Sequence, residues 1–221
     1  VKEEILIMKN QLDLFKECNA PCMVVAEVSG SIQGQSKKPL SNRPILDNDE
    51  WKTLYNRINE IGKFMHDSGV PLAYHHHMGT VVQSQEDTER LIDNTSDAVK
   101  LLIDTGHMMF AGGDFAKIAK DYSARLYHVH CKDIRKDVLD KALKNDLSFI
   151  DAFFAGAFTV PGDGCIDYNH FLKILKDLNY EGWLVVEAEQ DPKKANPFEY
   201  GKIGFNHLKK IALNCGFEIT R

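Results

Sequence analysis

The regular exchange of helix-spaced apolar stripes and short apolar runs constrains this chain more than any other feature of its sequence. Ile5, Met8, Leu12 and Phe15 recur at steps of three and four and predict a helix that Asn19-Ala20-Pro21 ends. Residues 23–26 read as a short buried strand, with Glu27 at its C-terminal end. The polar stretch 29–48 reads as a surface loop, either functional or mobile. Trp51, Leu54, Ile58, Ile61 and Met65 trace the next helical stripe, and residues 70–74 form a second strand running into His75-His76-His77. Ser84-x-x-Asp87 resembles a capping box opening a helix. Residues 99–103 give a third strand that ends at Asp104, and Asp114 caps a short helix through Tyr122. Residues 125–129 are the fourth strand, leading into His130. A long connection, 132–166, holds a helix and the turn Pro161-Gly162-Asp163-Gly164. Asp167 then caps a helix, residues 182–186 form the fifth strand before Glu187, and Asn196 with Pro197 starts the last helix. Strict alternation of this kind leaves an open doubly wound sheet or a closed (β/α)8 barrel; five strands suffice for the first and fall three short of the second.

Composition narrows the class. The 221 residues are 43% apolar, enough to bury one core, and residues 1–221 read as a single domain. Twenty-seven basic against 32 acidic residues give a net charge of −5 without any block of like charge, which argues against a nucleic-acid partner. No run is long and apolar enough to span a membrane. Cys18, Cys22, Cys131, Cys165 and Cys215 form no CxxC pair, so neither a disulfide framework nor a zinc ribbon is indicated and a cytoplasmic setting is expected.

The chemistry collects at the strand ends. Each strand is apolar until its last residue or two, and then Glu27, His75, Asp104, His130 or Glu187 appears. His75 shares its parity with His77, His128 with His130, and Glu187 with Glu189. Any one of these is most simply a cap or a satisfied polar group, but their coincidence at all five strand ends predicts a convergent site. His76 and Cys131 should point away from it, and His66, His170 and His207 lie on helices as surface or packing residues. A mixed set of imidazoles and carboxylates suits Mn2+, Co2+, Zn2+ or Mg2+, and such an ion polarises adjacent carbonyl and hydroxyl oxygens. That is the chemistry of proton abstraction beside a ketone.

The strings LAYHHHMGT, LLIDTGHMMFAGGD, YHVHCKDIR, FTVPGDG and WLVVEAEQDPKKANPFEY resemble the inosose dehydratases (2-keto-myo-inositol dehydratases) of inositol catabolism. These lie within the xylose isomerase-like TIM-barrel superfamily of sugar isomerases and epimerases. The resemblance covers nearly the whole chain. It implies a (β/α)8 TIM barrel of which this chain covers the third helix through the eighth, so that its strands would be the fourth to eighth. An open barrel with two bare sheet edges is then expected to aggregate or self-associate as a homo-oligomer and to be only weakly active. Carried over position by position, the metal ligands are His75, Asp104, His130 and Glu187. His75 departs from the glutamate usual there, which leaves His77 as a substitute, and Glu189 is an alternative to Glu187. His107 matches a substrate-contacting histidine, and Lys132 would reach a substrate oxygen. Family members use Co2+ or Mn2+ and glutathione.

The expected function is therefore a carbon–oxygen lyase that removes water from a polyol ketone, 2-keto-myo-inositol, through an enediolate. Glu27, Glu187, His77 and His107 are the candidate bases, and Glu189 or Lys132 would assist the leaving group. A sugar isomerase or epimerase, and an inactive metal- or sugar-binding fragment, are the alternatives. Residues 158–164 are expected to close over the substrate as a lid.

Overall fold

A computed structural model describes residues 1–220. In chain order the elements are α1 (Lys2–Glu17), β1 (Met23–Val25), a 3-10 turn (Leu40–Asn42), α2 (Asn48–Asp67), β2 (Leu72–His75), α3 (Gln85–Asp93) and β3 (Val99–Asp104). Then come α4 (Thr105–Phe110), α5 (Phe115–Asp121), β4 (Leu126–Ile134), α6 (Lys136–Lys144), α7 (Phe149–Ala155), β5 (Phe158–Thr159), α8 (Tyr168–Asp177), β6 (Leu184–Glu187) and α9 (Pro197–Asn214). Helix starts follow their side chains. Ser84 and Asp87 form a reciprocal capping box at α3, and Asp47 with Glu50 does the same at α2. Asp114, Asp167 and Asn196 cap α5, α8 and α9.

Five parallel strands pair in the order β1-β2-β3-β4-β6. A doubly wound sheet reverses its strand order at a switch point; this one never does. Its helices pack on one face only. Met23, Leu72, Tyr74 and Val99 bury against α1 and α2, while Leu101, Ile103, Val129 and Cys131 bury against α5, α8 and α9. A sheet in sequential order with helices outside is an arc of a β/α barrel. Among the described residues β1 pairs only with β2 and β6 only with β4, so both ends of the arc are edges. No helix among those residues is long and apolar enough to cross a membrane.

The connection after β4 departs from expectation. It contains two helices, and β5 pairs antiparallel with Asp133 and Ile134, which lengthens β4 to Ile134. Residues 158–164 are consequently no lid. Phe158, Thr159 and Val160 are buried, and the Asp133 carboxylate accepts the backbone N–H groups of Gly162 and Ile166 at 3.2 and 2.9 Å. Arg135 adds bonds to the Phe158 carbonyl and the Thr159 hydroxyl. A segment whose donors are spent on buried partners cannot swing over a substrate.

The polar stretch after β1 is instead a fixed strap. Buried Ile32 donates its N–H to the Gly79 carbonyl at 2.9 Å. Ser36 Oγ and Lys37 N–H bind the Asp151 carboxylate of α7 at 2.9 and 2.8 Å. Leu40 buries with Met78, Phe110, Phe149 and Phe158, and Arg43 returns the chain to α3 through Asp87 at 2.8 Å.

Candidate active site

β2 ends on His75, β3 on Asp104 and β6 on Glu187, while β4 carries His128, His130 and Lys132 on the face that the helices leave bare. Val129 and Cys131, between them, lie in the helix-side core, as parity requires. The first group forms around Asp104, which is fully buried. Its Oδ1 accepts the His107 backbone N–H at 2.8 Å and so caps α4. Its Oδ2 faces His75 Nε2 and His130 Nδ1, each at 3.5 Å, and His130 Nδ1 is 3.4 Å from Glu187 Oε2. One ligand atom each from His75, Asp104 and His130 lies within 4.8 Å of the others.

His75 Nε2, Asp104 Oδ2, His130 Nδ1 and Glu187 Oε2 are all buried and make no well-aligned hydrogen bond; the charges nearest them are one another and Lys132 Nζ, 2.8 Å from Glu187 Oε2 and 3.3 Å from Asp104 Oδ2. Four such atoms from four strands, two imidazole nitrogens and two carboxylate oxygens, are the donor set a first-row divalent cation takes. The residues present fit such an ion.

Lys132, with side-chain exposure of 1%, ties this group to a second. Its Nζ is 2.6 Å from Glu189 Oε2, 2.9 Å from His107 Nε2, 2.8 Å from Glu187 Oε2 and 3.3 Å from Asp104 Oδ2. Glu189 also lies 3.6 Å from His77 Nε2 and 3.3 Å from His107 Nε2. Its backbone sits at φ 41°, a left-handed conformation costing a non-glycine residue about 1–3 kcal/mol, which the contacts of its carboxylate offset. His77 Nδ1 is 2.8 Å from the Met78 carbonyl, which can only accept, so Nδ1 carries a hydrogen and Nε2 is the atom turned toward Glu189. His107 Nε2 faces an ammonium and must accept.

The string Asp104-Thr105-Gly106-His107 builds the socket for this lysine. A Cβ on Gly106 would come within 2.8 Å of Lys132 Cγ, so only glycine lets the stem pass. Thr105 Oγ1 donates to the Lys132 carbonyl at 2.8 Å, accepts its N–H at 3.1 Å and meets the Tyr168 hydroxyl at 2.9 Å. Buried His76 accepts the Asp104 N–H through Nε2 at 3.2 Å, a structural role in keeping with its parity. Thr105, Gly106 and Tyr168 were not among the residues singled out from sequence. The first two adjoin the quoted ligand in the string itself; nothing local marks Tyr168, 63 residues away from Thr105.

Burial works against every charge here, and neighbours decide the outcome. Desolvation raises the Asp104 carboxyl, but Lys132, His107 and the rings of His130 and His75 hold it well below the usual range. Burial lowers Lys132, yet Asp104, Glu189 and Glu187 raise it above an ordinary lysine. His107 is pushed far down by burial and then by the ammonium. Burial also lowers His130, but Asp104 and Glu187 more than reverse this and carry it up to about 9.

Glu27 is not brought to either group. It follows β1 on the helix side, donating its N–H to the Tyr74 hydroxyl at 3.3 Å, and its carboxylate accepts the Ser29 N–H at 2.6 Å. There it lines a separate cavity of about 380 Å3 with Asp47, Thr53 and Arg57. Of the nine candidates, the other eight converge.

The chain is similar to known proteins along nearly its whole length. It is 43% identical over 209 residues to the rhizopine catabolism protein MocC of Rhizobium meliloti, covering 95% of this chain and 64% of the relative. It is 44% identical over 200 residues to an inosose dehydratase of Clostridium beijerinckii, covering 90% and 67%. The chain thus spans about two thirds of the length of these relatives. A crystal structure of the IOLI protein with a binding zinc atom superimposes with a TM-score of 0.65 at 18% identity, over 97% of this chain and 69% of that one. The family model described as xylose isomerase-like TIM barrel matches residues 1–211, and the chain belongs to that family.

Proposed function

We propose that this chain carries the metal and acid–base machinery of an inosose dehydratase, a hydro-lyase that removes water from 2-keto-myo-inositol. The carrying observation is the convergence of four buried ligand-type atoms, His75 Nε2, Asp104 Oδ2, His130 Nδ1 and Glu187 Oε2, directly beside the Lys132–Glu189–His107 group. Identity of 44% to an inosose dehydratase supports the choice of substrate. His75, Asp104, His130 and Glu187 would hold the ion, with Mn2+ or Co2+ preferred over Zn2+ or Mg2+ for a set half carboxylate and half imidazole. When bound, the ion supplies Lewis acidity toward the ketone and its neighbouring hydroxyl.

The remaining side chains handle protons. His77, with its Nδ1 hydrogen held by the Met78 carbonyl, would take the proton from the carbon beside the ketone on Nε2. The C–H electron pair moves into the ring and the C–O bond of the β-hydroxyl breaks. Lys132 Nζ gives that oxygen a proton, and water leaves. Glu189, between His77 and Lys132, returns the proton taken from carbon to the lysine, so both groups end as they began. His107 holds the ammonium in place as a neutral acceptor. Glutathione is assigned no residue in this reading.

The test is conversion of inosose by purified protein with Mn2+, followed by the ultraviolet absorbance of the dione. Absorbance that appears with Mn2+ and vanishes with chelator is the expected result. Deuterium entering recovered substrate from heavy water, without dione, would instead indicate an isomerase or epimerase.

A further inference from the structure

We propose that the Lys132 ammonium fills a cation position built from metal-type ligands, so that the native site takes one divalent ion and a second divalent site lies latent behind this lysine. The inference rests on the reading of the Asp104 group as a divalent-ion site. His77, His107 and Glu189 each offer one ligand atom, and the three atoms lie within 4.8 Å of one another, as closely set as those of His75, Asp104 and His130. His77 Nε2 is turned toward Glu189 and His107 Nε2 toward Lys132. What distinguishes the two groups is the lysine. Its Nζ lies 2.6 Å from Glu189 and 2.9 Å from His107, bonded to two of the three ligands as a small cation would be.

Charge explains why one position takes a metal and the other an ammonium. The carboxylates of Asp104, Glu187 and Glu189 all reach Lys132 Nζ within 3.3 Å. One divalent ion and one ammonium balance these three negative charges. A second divalent ion beside the ammonium would leave two positive charges in excess in a pocket where Asp104 and His107 are fully buried, which a low dielectric opposes strongly. Removing the ammonium halves that excess and exposes the three ligands. Gly106 is part of the arrangement, since its missing Cβ is what allows the lysine stem to lie there.

The experiment counts Mn2+ bound by the whole protein, from the loss of the free-ion paramagnetic resonance signal and from elemental analysis after gel filtration. Wild type should bind one ion; two tightly bound ions would overturn the proposal. Lys132→Ala should bind two, with a spin-coupled spectrum, because the His75 ring is only 5.4 and 5.5 Å from those of His77 and His107. Adding Glu189→Gln to Lys132→Ala should restore a single ion. A folded Lys132→Ala that still binds one ion overturns the proposal. If that variant does not fold in metal-free buffer, refolding in Mn2+ decides: recovery with two ions supports the latent site, and recovery with one, or none, refutes it. Wild type that binds no Mn2+ at all would instead sink the metal centre of the proposed function, a separate failure.

Discussion

His128 and His130 stand two residues apart on one strand, on the same bare face of the sheet, and their neighbours send them in opposite directions. His128 meets Cys22 Sγ at 3.8 Å and no carboxylate, and desolvation drives its pKa down to about 4. His130 pays the same kind of desolvation but faces Asp104 and Glu187, which lift it to about 9. The N-terminal half of the concave face, with Cys22, Ala73 and Leu102, is a small apolar patch; the C-terminal half is a polar chamber. One step of strand pleat separates a residue that packs on apolar neighbours from a residue that faces two carboxylates.

Asp104→Asn should do the most to erase this difference. It removes the charge common to His75, His130 and Lys132, so metal affinity should fall by more than the ~10–100-fold typical of an outer-shell loss. Turnover should go with it. Calorimetric Mn2+ titration checks this, and wild-type affinity in Asp104→Asn would remove the proposed centre. Glu187→Gln should weaken binding in the same sense; if it does not, Glu189 becomes the better fourth ligand.

Proton release sharpens the comparison. In metal-free protein at pH 7 to 8 His130 is protonated and His128 is not, so binding one ion should expel about one proton from His130 and leave His128 unchanged. Imidazole resonances titrated with Zn2+ would report it. The two histidines also load stability oppositely. His130, raised above its unfolded value near 6.5, contributes stability that is complete below that pH and is lost as pH rises through about 9. His128, depressed, costs stability as pH falls from about 6.5 toward 4. His130→Gln should abolish the alkaline loss in apo protein, and His128→Gln the acid one, in denaturant midpoints taken across pH.

Smaller effects belong to the supports. Thr105→Val strips the staple from Lys132 and Tyr168 and should cost about 1–3 kcal/mol of stability, read from thermal unfolding, with a lower kcat and intact metal binding. Glu27→Gln should be nearly silent in both metal affinity and kcat, because its carboxylate serves only the Ser29 turn. A large loss of kcat there would return Glu27 to the list of bases.

Much of this architecture was legible because it is written in short-range pattern. Strand-end ligands stand out after apolar runs, and Ser84, Asp114, Asp167 and Asn196 mark helix starts within a turn of where they act. What was lost depends on contacts far apart in sequence. β5 is two residues long and exists only because Asp133 and Ile134 pair with it. The role of Lys132 as the joint between two ligand groups needs Gly106 to clear its stem and Glu189 to fold back at a left-handed φ, and neither condition has a local signature. Glu27 was misplaced for a different reason. With Met23 on the helix side, alternation through a three-residue strand carries Val25 and then Glu27 to that side as well, away from His75.

The strap between β1 and α2 has a consequence for the time order of folding. Its Ser36 and Lys37 reach Asp151 across 115 and 114 residues of chain, and Ser41 reaches Asp146 across 105. Loops of that span close late, after the chain between has condensed, since the entropy of bringing such distant points together must first be offset by nearer contacts. β1 holds to the sheet through only three register positions, so until the strap is seated its edge frays easily. This strand is therefore among the last of the described strands to become protected from solvent exchange, and it waits on a helix that lies more than a hundred residues further along the chain.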